Sequence, residues 1–255
     1  MVKTYQKGQA FKMIVYQDIG KGIPIVFIHG LGSKKEAWEP QHELANHFRL
    51  IIPDLRGHGD TALDQDITLK NFALDIIYLL DYLKIPKAFI CGLSLGGIIA
   101  QEIYWQRPEK VSGLVLANTT SYIPALFSYN TIQRSKQLLH NDRERLRTQI
   151  VETSLHNQEY KEEATKVFKI RDSYLDCARA PIGINYFMIL PMINKPVLLI
   201  GSSHDRVTPF LNVMMMRNFI KDSKIILFKN TGHLSNIERK EAFNDAISQF
   251  LCSVG

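Results

Sequence analysis

The sequence has little of what carries metal, redox or disulfide chemistry. Its 255 residues include three cysteines, Cys91, Cys177 and Cys252. They are widely spaced and odd in number, which excludes a disulfide framework and fits a reducing, cytoplasmic setting. No cluster of His, Cys and Asp has metal-ligand spacing, so no metal is expected. No Gly-x-Gly-x-x-Gly follows a strand-like run, so nothing points to a dinucleotide, and no cofactor is expected. No apolar run approaches the roughly 20 residues that span a bilayer. The opening residues, Met1-Val2-Lys3-Thr4-Tyr5-Gln6, lack the apolar stretch of a signal peptide. Repeats and low-complexity tracts are missing too. The formal net charge is +6, but the basic residues are spread along the chain, with local clusters only near 134–147 and 161–171. These read as solvated helix faces, and no nucleic-acid partner is expected.

What is present reads as a globular α/β protein. Hydrophobic residues make up 45% and charged residues 22%, ordinary values for such a chain. Apolar runs of strand length occur at 11–16, 24–28, 48–53, 88–90, 111–117, 195–201 and 224–228. Runs such as Pro24-Ile25-Val26-Phe27-Ile28 are continuously apolar, as in strands buried on both faces. Helical patterns alternate with them: Glu36–His47, a stripe over 68–83 with Thr68 as N-cap and Pro86 as stop, 98–104, Pro209–Ile220 and Asn236–Cys252. This rhythm predicts βαβ units and a mostly parallel twisted sheet flanked by helices. From about Thr119 to Met192 the strand runs largely disappear, and helix-like segments replace them at 131–139, 143–155 and 159–170. The expected division is a core of 1–119 and 192–255, with a helical cap over 120–191.

The chemistry gathers at Cys91-Gly92-Leu93-Ser94-Leu95-Gly96-Gly97, which lies between a strand and a helix. A Gly-rich turn alone has no chemical meaning, but Gly-x-Ser-x-Gly in this setting is a nucleophile elbow. Ser94 must occupy a strained turn, and side chains at 92 and 96 would crowd it. The helix that follows aims backbone N–H groups at developing charge, so Leu95 N–H is placed to donate to an oxyanion. Asp205 and His233 each lie just past a later strand, where ligand groups converge in an open α/β sheet. His233 is placed to take the Ser94 proton, and Asp205 to hold the imidazole tautomer. His29-Gly30-Leu31-Gly32 turns sharply after a strand and offers Leu31 N–H as a second oxyanion donor. His204 lies in the acid's own loop without an acid partner. His29 and His58 are read as structural hydrogen-bonders, Asp54 as a loop brace, and Cys91 as buried and unreactive.

These pieces resemble the α/β-hydrolase superfamily over nearly the whole chain. They are His29-Gly30-Leu31-Gly32, Pro53-Asp54-Leu55-Arg56-Gly57-His58-Gly59, Gly92-Leu93-Ser94-Leu95-Gly96-Gly97, His204-Asp205 and Gly232-His233. Within it, Arg107-Pro108-Glu109-Lys110-Val111, Leu116-Ala117-Asn118-Thr119 and Pro196-Val197-Leu198-Leu199-Ile200-Gly201 look most like the 3-oxoadipate enol-lactonase and carboxylesterase-like group. The resemblance implies the α/β-hydrolase fold with a helical cap inserted after the sixth strand. It also implies ester or lactone hydrolysis through an acyl-enzyme. Ser94, Asp205 and His233 carry over as nucleophile, acid and base, and Leu31 and Leu95 as oxyanion-hole residues through their backbones.

The reading is therefore a serine hydrolase of a small carboxylic ester or lactone. The apolar, aromatic stretch Tyr122–Tyr129 favours a neutral, partly apolar acyl substrate, with Phe127, Tyr129 and Met188 as pocket candidates. Arg134 is the cation nearest that stretch in sequence. The alternatives are a C–C bond hydrolase, a cofactor-free haloperoxidase or perhydrolase on the same triad, and a non-catalytic ligand-binding protein of the same fold.

Overall fold

The computed structural model describes residues 2–5, 14–62 and 65–254, with side chains described for 14–62, 65–125, 132–133 and 135–254. Eight strands form one sheet: β1 (Val2–Tyr5), β2 (Ile14–Ile19), β3 (Ile23–Ile28), β4 (Phe48–Pro53), β5 (Ala88–Leu93), β6 (Val111–Ala117), β7 (Val197–Ser202) and β8 (Ser223–Phe228). Their order is β1-β2-β4-β3-β5-β6-β7-β8. The six strands from β3 to β8 run parallel, and β2 joins β4 antiparallel, as β1 does β2. The expected mostly parallel sheet is thus observed. β1 was not legible in the sequence. The first predicted strand at 11–16 is shifted to β2; residues 11–13 lie outside the described residues.

The continuous apolar runs fill both faces of the sheet. In β3, Val26 and Ile28 enter one core, while Ile25 and Phe27 enter the other; in β6, Leu114 and Leu116 oppose Val115 and Ala117. This period of two leaves no solvent face for a polar residue to occupy. Helices α1 (Leu69–Tyr82) and α2 (Leu95–Gln106) cover the first face, through Phe72, Ile76, Leu80, Ile99 and Ile103. Thr68 caps α1 as expected, its hydroxyl accepting from Asn71 N at 3.1 Å. The other face is covered by α9 (Lys240–Val254), through Phe243, Ile247 and Phe250, and by residues 35–46.

Two segments depart from the predicted helices. Residues Lys35–Asn46 form a run of 3₁₀ turns with Pro40 inside it, a residue that has no N–H to give an α-helical ladder. The predicted helix from 236 to 252 is broken at Arg239 into α8 (Ser235–Glu238) and α9. There the Arg239 guanidinium turns back to Thr231 Oγ1 and the Lys229 carbonyl, both at 3.1 Å.

Between β6 and β7 lie α3 (Ala125–Asn141), α4 (Arg143–Ser154), α5 (Lys161–Val167) and α6 (Tyr174–Arg179), followed after β7 by α7 (Phe210–Phe219). The helical insertion docks on the loop after β3. Ser33 Oγ donates to the Val167 carbonyl at 3.0 Å, and Lys169 N to the Gly32 carbonyl at 2.9 Å.

Candidate active site

Ser94 follows β5 and has φ 57° and ψ −120°, a backbone state that costs on the order of 1–3 kcal/mol and persists only where surroundings enforce it. The enforcement is visible. Ser94 N donates to the Ala117 carbonyl at 3.0 Å, and the Ser94 carbonyl accepts from Gly97 N at 2.9 Å and Thr119 Oγ1 at 2.7 Å. A Cβ at Gly92 would lie 2.1 Å from the Gly96 carbonyl oxygen, and one at Gly96 would lie 2.0 Å from the Ile28 carbonyl oxygen. Only glycine allows β5, α2 and β3 to approach this closely. Among the described residues, neither Leu31 N–H nor Leu95 N–H has a protein acceptor. Leu95 opens α2, and Gly30, next to Leu31, lies against Ser94: a Cβ there would be 3.3 Å from that of the serine.

Asp205 sits in the loop after β7 and His233 in the loop after β8, and His233 Nδ1 lies 2.8 Å from Asp205 Oδ2. The carboxylate is buried and saturated with donors. Oδ1 accepts from Val207 N and Thr208 N, both at 2.8 Å. Oδ2 also accepts from Asn118 Nδ2 at 2.9 Å and Thr208 Oγ1 at 2.8 Å. Burial alone would raise the Asp205 pKa, but the neighbouring His233 and these hydrogen bonds outweigh it and hold the group below its ordinary value. An ionised Asp205 fixes the Nδ1–H tautomer and leaves Nε2 free to accept a proton. The tie continues inward: Asn118 Oδ1 accepts from Ser235 Oγ at 2.6 Å, and Asn118 Nδ2 also reaches Ser202 Oγ at 3.0 Å.

Ser94, Leu31 and His233 line one cavity of about 630 Å³. The helical insertion supplies much of its wall through Leu138, Leu146, Ile150, Phe168 and Tyr174, and the core adds Trp38 and Leu93. Arg206 and Glu152 also line it. Among the described residues Arg206 has no ion-pair partner, whereas Glu152 is paired with Lys161 at 2.7 Å.

Met188 is 83% exposed and away from the cavity lining, which removes it from the pocket. It lies in a loop whose neighbours Tyr186 and Leu190 take the buried positions instead. Phe127, Tyr129 and Arg134 have side chains outside the described residues. His29 and His58 are buried, and their rings bond backbone. His29 Nδ1 lies 2.8 Å from the Gly30 carbonyl while Nε2 accepts from Leu55 N at 3.1 Å, and His58 Nδ1 lies 2.9 Å from the Arg56 carbonyl. Burial pushes their pKa values down, to about 4 and about 3. Asp54 braces its loop, accepting from Lys35 N at 2.6 Å, Lys35 Nζ at 3.0 Å and Asp60 N at 2.9 Å. Cys91 is fully buried, which raises its thiol pKa. His204 is exposed and stacks on His156 outside the cavity. Sequence reasoning missed Asn118, Ser235 and Arg206 as members of the site. Asn118 has φ 44° directly after β6, but a polar residue at a strand end gives no sign of what it will meet.

The chain is similar to known proteins in sequence and in fold. A family model described as the alpha/beta hydrolase family matches residues 25–246. The 3-oxoadipate enol-lactonase 1 of Acinetobacter baylyi is 27% identical, over 90% of this chain and 89% of the lactonase. A thermophilic esterase from Thermogutta terrifontis superposes with a TM-score of 0.89 at 21% identity, over 100% of this chain and 99% of the esterase. A bromoperoxidase from Bacillus anthracis does so with a TM-score of 0.88 at 24% identity, over 98% and 99%. At such identities the two structures speak for the fold.

Proposed function

The chain belongs to the alpha/beta hydrolase family, and from that premise we propose that it is a serine hydrolase of a small carboxylic ester or lactone. The observation that carries this is the Asp205–His233 pair opening onto the cavity that holds Ser94. Ser94 Oγ attacks the acyl carbonyl while His233 Nε2 takes its proton. The tetrahedral oxyanion receives the N–H groups of Leu31 and Leu95, each typically worth about 2.7–4 kcal/mol of barrier in such sites. The alcohol leaves with the proton from His233. Water then attacks the acyl-enzyme with His233 as base, and the acid departs. In a lactone, alcohol and acid remain one molecule.

The apolar wall of the cavity supports a neutral, partly apolar acyl group. Of the charged side chains that line it, Glu152 is offset by Lys161 and Arg206 has no ion-pair partner among the described residues, so the charge left at the cavity is the Arg206 cation. On this reading residues 120–191 act as the cap, and the substrate lies between their helices and the strand ends of the core. The buried thiols of Cys91 and Cys177 suit a cytoplasmic setting.

The test is hydrolysis of p-nitrophenyl esters from acetate to octanoate by wild type and Ser94→Ala. Turnover by wild type with loss in the variant, which stays folded, is expected. A variant that keeps more than a few per cent of the activity removes Ser94 as nucleophile.

A further inference from the structure

The insertion meets the loop of His233 at one tight corner. The Ser154 carbonyl, at the end of α4, accepts from His233 N at 2.7 Å and from Leu234 N at 3.3 Å. Glu238 closes the same corner from α8 and is 3% exposed. Its Oε1 accepts from Gly232 N at 2.9 Å, its Oε2 from Asn157 N at 2.8 Å, and His156 N lies 3.3 and 3.2 Å from the two oxygens. One carboxylate thus gathers backbone N–H groups from the insertion and from the residue before His233. Among the described residues no cation pairs with it. A buried carboxylate held only by peptide dipoles is costly to place. An amide in its place would keep the shape but present N–H to N–H on one side.

A second contact joins the same segment to the acid's loop. The His156 ring stacks on His204, centroids 3.9 Å apart and planes 24° apart, and His204 precedes Asp205 in the chain. His204 N in turn donates to the Thr231 carbonyl at 3.0 Å. Meanwhile α4, whose end is held here, lines the cavity through Leu146, Gln149 and Ile150.

We propose that Glu238 is a positioning residue, a clasp that fixes the His233 loop to the end of α4 so that the cavity wall and the imidazole keep one alignment. This rests on the reading of Ser94 and His233 as nucleophile and base.

The test compares the full-length wild type with Glu238→Gln, Glu238→Ala and a control, Asn244→Ala, which removes a buried side chain that does not line the cavity. Each is measured for thermal midpoint, for kcat and KM on a p-nitrophenyl ester, and for the rate at which a fluorophosphonate labels Ser94. The expected result is a folded Glu238→Gln whose kcat and labelling rate both fall about tenfold or more, as when a general base is misaligned, with KM changed less than threefold. The control, at a similar loss of thermal midpoint, keeps its kcat. Should Glu238→Ala fail to fold, Glu238→Gln decides. If wild type is labelled and Glu238→Gln is within twofold of it in kcat and labelling, the proposal is overturned alone. If the control loses kcat to the same extent, Glu238 is merely structural and the proposal also falls. If wild type is not labelled at Ser94, the hydrolase reading fails and this one with it.

Discussion

Asn118 Nδ2 donates at 2.9 Å to Asp205 Oδ2, the oxygen that lies 2.8 Å from His233 Nδ1. The end of β6 therefore holds the carboxylate that orients the imidazole. A hydrogen bond to a charged group is worth about 1.5–3 kcal/mol. Asn118→Ala is expected to lower kcat roughly ten- to hundredfold, with a smaller change in KM. Steady-state kinetics on a short ester checks it, and an unchanged kcat would show that Thr208 and the backbone suffice.

Asp205→Asn removes the negative charge and admits the wrong imidazole tautomer. A loss of kcat of about 10⁴ is expected, by analogy with serine hydrolases of other folds. Circular dichroism and the kinetics of the purified variant decide it. A loss of less than tenfold would mean that another group orients His233.

Gly96→Ala sets a methyl carbon 2.0 Å from the Ile28 carbonyl oxygen. Backbone must shift where β3, Ser94 and α2 meet. The expected outcome is activity lowered at least a hundredfold on the order of an oxyanion-donor loss, together with a thermal midpoint several degrees lower. A fully active, equally stable variant would refute the close approach.

The buried histidines predict acid sensitivity. His29 is pushed down to about 4 by burial, from an unfolded value near 6.5. Above pH 6.5 both states are neutral, and its contribution is complete. As pH falls from 6.5 towards 4, the unfolded chain gains a proton that the native ring refuses, and stability is lost by roughly 3 kcal/mol. His58 is lowered to about 3 and adds in the same direction. Urea unfolding at pH 7, 5.5 and 4.5 measures this, and a flat profile would contradict the neutral, buried rings.

Ile150 lines the cavity from α4. Ile150→Trp is expected to cut kcat/KM for octanoate at least tenfold relative to acetate, the scale on which a pocket discriminates by a few methylenes. An unchanged chain-length profile would place the acyl chain elsewhere.

The parts of the site that the sequence displayed are those encoded within a few residues. Gly92, Ser94 and Gly96 form a pattern readable within five residues: a Cβ at Gly92 would meet the Gly96 carbonyl, although what bars one at Gly96 is the distant Ile28 carbonyl. Asp205 and His233 stood out because each follows a strand run that is itself readable from continuous apolar character. The failures share the opposite cause. Met188 looked suited to a pocket by type, yet it faces solvent because Tyr186 and Leu190 take the buried positions. The last helix read as continuous by its apolar stripe, yet Arg239 breaks it to reach Thr231 and Lys229.

The sequence by itself therefore determined the parallel sheet, the elbow at Ser94 and the order of the three candidate groups, since side-chain periodicity and backbone sterics act over neighbouring residues. Only the tertiary structure decided what holds them. Asn118 meets Asp205 across 87 residues, and Glu238 meets His156 across 82. Pairings at such separations depend on how strands and helices pack, and a polar residue gives no local sign of its distant partner.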